Sequence, residues 1–132
     1  MTTKIIFKVE KTSTGFSAFA QDFETYPVGT TGGTFTEVKK NIVDALNLHN
    51  EYKSLKTVTE DDVSIQVDIP QFFEYYGIIN ASALADRVGI NPSLLSMYVN
   101  GHRKPSARQV SKILKGINEL GRELSSLDMV II

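Results

Sequence analysis

Cysteine is absent from the 132 residues. That excludes a disulfide framework and thiolate chemistry, and it suits a reducing compartment such as the cytoplasm, where we expect the protein to reside. Long apolar runs are missing too. The opening stretch Lys4-Ile5-Ile6-Phe7-Lys8 returns to lysine after three apolar residues, too few for a membrane span or the apolar region of a signal peptide. There is no internal repeat, no low-complexity segment and no metal-ligand spacing, so no metal or other cofactor is expected. Net charge is nearly absent at −1.

What is present is an uneven distribution of that charge. Residues 1–69 carry seven Lys against ten Asp or Glu, a balance of −3, and residues 70–132 carry seven Lys or Arg against five acids, a balance of +2. Within 80–116 the six cations Arg87, Arg103, Lys104, Arg108, Lys112 and Lys115 face Asp86 alone. A polyanion would meet one region rather than the whole chain.

Hydrophobic periodicity divides the chain the same way. Ile5, Phe7 and Val9 alternate with Lys8 and Glu10, which predicts a half-buried strand over 4–10, and 16–21 resumes as a second strand after a turn-rich 11–15. Tyr26, Val28, Thr30 and Thr31 suit a short third strand, which Pro27 confines to a sheet edge. Thr34 and Glu37 fit a capping box. Phe35, Val38, Ile42, Ala45, Leu46 and His49 then recur at helical spacing to about Tyr52. Val63, Ile65, Val67 and Ile69 alternate again over 62–69, giving a β-β-β-α-β order for the first half.

From Pro70 the texture becomes helical. A short helix is expected over 70–76. Asn80 caps a second that stops at Gly89, Asn91-Pro92 opens a third that ends at Gly101, and Ser106 caps a long fourth with Val110, Ile113, Leu114, Ile117, Leu120 and Leu124 on one stripe. Met129 to Ile132 are expected to form a final strand. The fold class is therefore α+β: a sheet-plus-helix domain over 1–69, then an all-α helix-turn-helix domain over 70–132 with a short C-terminal strand.

The spacing Leu84-Ala85-x-x-Val88-Gly89-Ile90-x-x-x-x-Leu95-Ser96-x-x-x-x-Gly101, followed by His102-Arg103-Lys104-Pro105-Ser106, resembles the phage-repressor (Cro/C1, Xre-like) helix-turn-helix family over about 70–124. The resemblance implies that the helix from Pro92 to Asn100 enters the major groove of double-stranded operator DNA. Ser93, Ser96 and Met97 would meet base edges, and Asn100, His102, Arg103 and Lys104 would meet phosphates. Donors and positive charge gathered past a helix end independently suit phosphate contacts. The base-facing positions lack the Gln or Arg of bidentate readout, so preference would rest on methyl contacts or DNA shape.

Gly15-Phe16-Ser17-Ala18-Phe19, then Gly32-Gly33-Thr34-Phe35-Thr36-Glu37-Val38, then the helix through Leu46 and Tyr52 resemble the HicB antitoxin family over most of 4–69. Where that family carries P-D-L-P-G-C, this chain has Asp22-Phe23-Glu24-Thr25-Tyr26-Pro27. The resemblance implies a partial ribonuclease-H-like domain that masks a HicA-type ribonuclease toxin, joined to a domain that represses the operon. Repressors of this kind work as homodimers, since twofold operators match twofold proteins. Leu127 to Ile132 could pair with a second copy. A stand-alone regulator or a protein-interaction module is the alternative.

An enzyme is not expected. An active ribonuclease-H fold needs carboxylates converging on two metal ions, and Asp22, Glu24, Asp44, Asp61, Asp62 and Asp68 read mostly as turn or outward strand positions. His49 reads as a packed helix residue and His102 as a phosphate contact. Gly29 to Thr34 is glycine-rich before a helix but lacks the lysine of a P-loop, and a turn with a cap explains it.

Overall fold

The computed structural model describes residues 3–132 and divides into two compact units, one running to Gln71 and one from Phe72 to Ile132. Sequence periodicity places the boundary at Pro70. The structure puts it two residues later, inside the helix Ile69–Tyr75.

The first unit contains β1 (Ile5–Lys11), β2 (Phe16–Ala20), β3 (Gly29–Gly32), α1 (Phe35–Tyr52) and β4 (Val63–Gln66), with the start of α2 (Ile69–Tyr75). The sheet order is β3-β2-β1-β4. β1 runs antiparallel to β2 and parallel to β4. The single parallel pairing follows from α1, whose length lets the chain cross from one side of the sheet to the other. β3 lies at an edge, and Pro27, with no N–H to give a ladder, falls just before it.

One face of the sheet is dry. Phe7, Val9, Phe16, Ala18, Ala20 and Val63 are buried, as are Val38, Ile42 and Leu46 along α1, and the ring of Phe35 stacks on Phe16 with centroids 4.5 Å apart. The opposite face keeps Lys8, Glu10 and Gln66 in water with Ile6 and Phe19 partly exposed, and Lys8 lies in register between Phe19 and Gln66. Thr34 starts α1 by accepting from the Glu37 amide at 3.1 Å.

After α1 the chain is held by two asparagines. Asn47 donates to the Val58 carbonyl at 3.0 Å and accepts from the Val58 amide at 2.7 Å. Asn50, only 3% exposed, donates to the Lys56 carbonyl at 2.9 Å. These bonds satisfy the backbone of a segment that has no ladder of its own.

β4 stops at Gln66 rather than reaching Ile69. Its pairing with β1 ends at Lys8↔Gln66, and Asp68 instead caps α2, accepting from the Gln71 amide at 2.9 Å and from its side-chain amide at 2.9 Å. Val67 and Ile69 therefore do not continue the strand.

The second unit contains the rest of α2, then α3 (Ala81–Val88), α4 (Pro92–Val99) and α5 (Ala107–Ser125). Leu84, Ala85, Ile90, Leu95, Tyr98 and Ile113 form its core. Tyr98 is buried while Leu94 and Val99 are only half-buried. Gly116 permits the close crossing of α3 and α5, because a Cβ there would collide with Val88 Cγ1.

The final strand expected at Met129–Ile132 is not formed. Residues 127–132 belong to no regular element and Val130 is 90% exposed. A strand needs a partner edge for its backbone groups, and among the described residues this segment pairs with no strand. Among the described residues no helix is long and apolar enough to cross a membrane.

Candidate nucleic-acid interface

α3 and α4 are set by their ends. Asn80 accepts from the Ala83 amide at 3.0 Å to start α3. Gly89 closes it at φ +75°, a left-handed conformation in which a Cβ is strained. Two residues later Asn91 caps α4, accepting from Ser93 N at 2.8 Å and Leu94 N at 3.4 Å, with Pro92 at the first helical position. The turn between the helices is thus fixed at both sides, and Ala85, fully buried, lets them touch.

This leaves one face of α4 in solvent. Ser93, Ser96 and Asn100 are exposed and Met97 is 37% exposed, while Leu95 and Tyr98 point into the core. Asn100 Nδ2 donates to Ser96 Oγ at 3.3 Å, so the two residues assigned to different tasks from the sequence share a bond. The basic loop is tied to the same helix. His102 N and Arg103 N both donate to the Met97 carbonyl, at 2.9 and 3.3 Å, which holds the exposed His102, Arg103 and Lys104 just past the end of α4. All seven residues singled out by the sequence therefore lie on α4 or on the loop anchored to it.

A group that the sequence reasoning counted only as bulk charge lies on α5. Arg108, Gln109, Ser111, Lys112 and Lys115 line an open cleft of about 480 Å³, and Lys112 Nζ donates to the Gly89 carbonyl at 3.2 Å. Arg108, Lys112 and Lys115 at i, i+4 and i+7 share one helix flank, a spacing visible in the sequence.

The candidate acids of the first unit are held in local structure instead of converging. Asp22 accepts from the Thr25 amide at 3.2 Å, and its hydrogen bonds with Thr25 hold its carboxyl below the ordinary carboxylate value. Asp62 accepts from the Thr59 amide at 2.9 Å, and Asp68 caps α2. Among the described residues no group of three or more His, Asp or Glu side chains is placed to hold a metal ion. His49 is half-buried, 3.1 Å from the Asn50 carboxamide oxygen and edge-on to Tyr26. Gly29 to Gly32 form the edge strand β3, where the expected short strand places Thr30 and Thr31, and Gly33 alone leads from it to the Thr34 cap.

Comparison with known families matches residues 78–123 to the helix-turn-helix family model. The match spans α3, the Gly89 turn, α4, the basic loop and most of α5, and it supports a DNA-binding transcriptional regulator whose partner is double-stranded DNA. No curated protein matches the chain.

Proposed function

We propose that this chain is a dimeric, antitoxin-type transcriptional repressor. Its second unit binds operator DNA through α4 and the loop behind it, and its first unit masks a HicA-type ribonuclease. The observation that carries the DNA reading is the exposed face of α4, with Ser93, Ser96, Met97 and Asn100 on it, followed by three exposed basic residues whose backbone is anchored to the helix end. Ser93, Ser96 and Met97 face the bases, and Asn100, His102, Arg103 and Lys104 face phosphates. Masking of the toxin rests on the resemblance of residues 4–69 to the HicB family. A partial ribonuclease-H-like sheet whose second face keeps Phe19 and Ile6 accessible is compatible with a protein partner.

Dimerisation is supported by an apolar surface left uncovered on the second unit. Leu114, Leu124 and Leu127 are 42%, 57% and 51% exposed, and Met129 to Ile132 follow them in solvent. A second copy would cover this surface, and two reading helices would then match a twofold operator.

The DNA assignment is tested by replacing Arg103 and Lys104 with Ala in the full chain and measuring operator retention in gels across a salt series. Binding weakens and its salt dependence flattens if the loop holds phosphates. An unchanged shift at every salt concentration removes the loop from the interface. Retention of a protein partner with no DNA binding by the unaltered chain would favour a protein-interaction module instead.

A further inference from the structure

We propose that Arg108, Lys112 and Lys115 on α5 form a second phosphate-binding strip, which grips the DNA backbone independently of the Arg103–Lys104 loop. The proposal rests on the DNA-binding reading above and extends it to residues outside α4 and its loop.

Position is the first argument. Lys112 is bonded to the Gly89 carbonyl, and Gly89 belongs to the turn that leads directly into the Asn91 cap of α4. The basic loop lies at the other end of α4. Cationic groups therefore adjoin α4 at both its start and its end. A helix lying in a major groove has a phosphate backbone on either side, and contacts at both ends fix its depth and register.

Chemistry is the second. The cleft lining supplies two lysines, an arginine, a serine and a glutamine, with no acid among them. Arg108, Ser111, Lys112 and Lys115 are exposed, and no ion pair engages these three cations among the described residues. Like charges one turn apart on a helix repel, and an extended anion relieves that repulsion along its length. The sign changes at Glu119, and Glu123 further along pairs with Arg87, so the strip is bounded.

Shape decides between a polymer and a small anion. Sites for small molecules are concave and largely apolar, and bury most of the ligand. This cleft is open and is lined by long exposed cationic chains. From Arg108 to Lys115 the helix rises about 10 Å, long enough to meet two or three successive phosphates of one strand.

The test is a fluorescence-anisotropy titration of the full chain against a short mixed-sequence duplex over a series of NaCl concentrations. Lys112→Gln with Lys115→Gln is expected to weaken binding several-fold and to lower the slope of log K against log salt by up to about 1.8, or roughly 0.9 for each phosphate no longer neutralised. Lys115→Gln alone, whose side chain makes no hydrogen bond among the described residues, should take about half that change with an unaltered thermal melt. That single variant keeps the test valid if loss of the Lys112–Gly89 bond disturbs folding. A wild-type slope that the Lys115 variant leaves unchanged overturns the strip while leaving DNA binding intact. Saturable binding of inorganic phosphate or a nucleotide that Lys115→Gln removes, with the DNA slope unmoved, assigns the cleft to a small anion and also overturns it. A wild-type chain that fails to bind duplex DNA even at low salt removes the underlying DNA reading itself.

Discussion

At the scale of single residues one position of the second unit matters because it has no side chain. Gly116 is buried where α5 crosses α3, and an added methyl would collide with Val88 Cγ1. Alanine in place of helical glycine gains about 1 kcal/mol in propensity, whereas overpacking a core costs about 1–3 kcal/mol. We expect Gly116→Ala to destabilise the unit by about 1 kcal/mol net, and Val88→Ala in the same chain to recover part of that loss. Urea denaturation of the two single variants and the double variant measures the coupling. Additive effects would mean that the crossing relaxes freely around the methyl. Asn50 gives the corresponding case in the first unit. Its buried amide is the donor for the Lys56 carbonyl, so Asn50→Ala removes that bond and should cost about 0.5–1.5 kcal/mol by the same measurement. Neither role was legible in the sequence. Hydropathy periodicity marks the stripe Val38, Ile42 and Leu46 but assigns a buried amide no place in it. The value of a glycine inside a helix depends on what crosses it.

At the scale of elements the caps were legible and the strand ends were not. Thr34, Asn80, Asn91 and Ser106 all begin the helices expected of them, because a cap is a local contact between residues two or three positions apart. β4 ends at Gln66 although β1, its partner 58 residues away, runs on to Lys11, because Asp68 offers a helix start that alternation alone does not reveal. The segment 127–132 fails as a strand because β-branched residues state a preference but not a partner. The apolar stripe of α5 shows the same division. Ile113 faces the core, while Leu114 and Leu124 remain in solvent. If a second copy covers them, Leu124→Lys combined with Ile131→Lys should produce a monomer in sedimentation velocity at concentrations where the unaltered chain is dimeric. The same variant should lose affinity for a twofold site by more than for a single half-site. A wild-type chain that sediments as a monomer throughout would sink the dimer.

At the scale of the whole molecule the division into two units was the most legible feature, because charge and texture change together along the chain. The acids gather in the first half and the cations in 80–116, and the structure supplies each half with its own core. Phe7, Phe16, Val38, Ile42 and Leu46 lie in one unit, and Leu84, Leu95, Tyr98 and Ile113 in the other. Two separate cores imply two separable failures. Leu46 and Leu95 are both completely buried, and truncating a buried leucine to alanine costs about 2–5 kcal/mol. Leu46→Ala should therefore lower amide protection in β1, β2, β4 and α1 while α3 to α5 keep theirs, and duplex DNA binding should persist with its salt slope unchanged. Leu95→Ala should do the reverse, removing protection in α3 to α5 and abolishing DNA binding while the sheet exchanges as before. Hydrogen exchange on the full chain reads both outcomes in one experiment, because each amide reports the opening of the unit that contains it. If either substitution lowers protection uniformly from β1 to α5, the two units unfold as one. DNA binding would then depend on the sheet domain through stability, and a partner captured by the first unit would reach the operator through the same coupling.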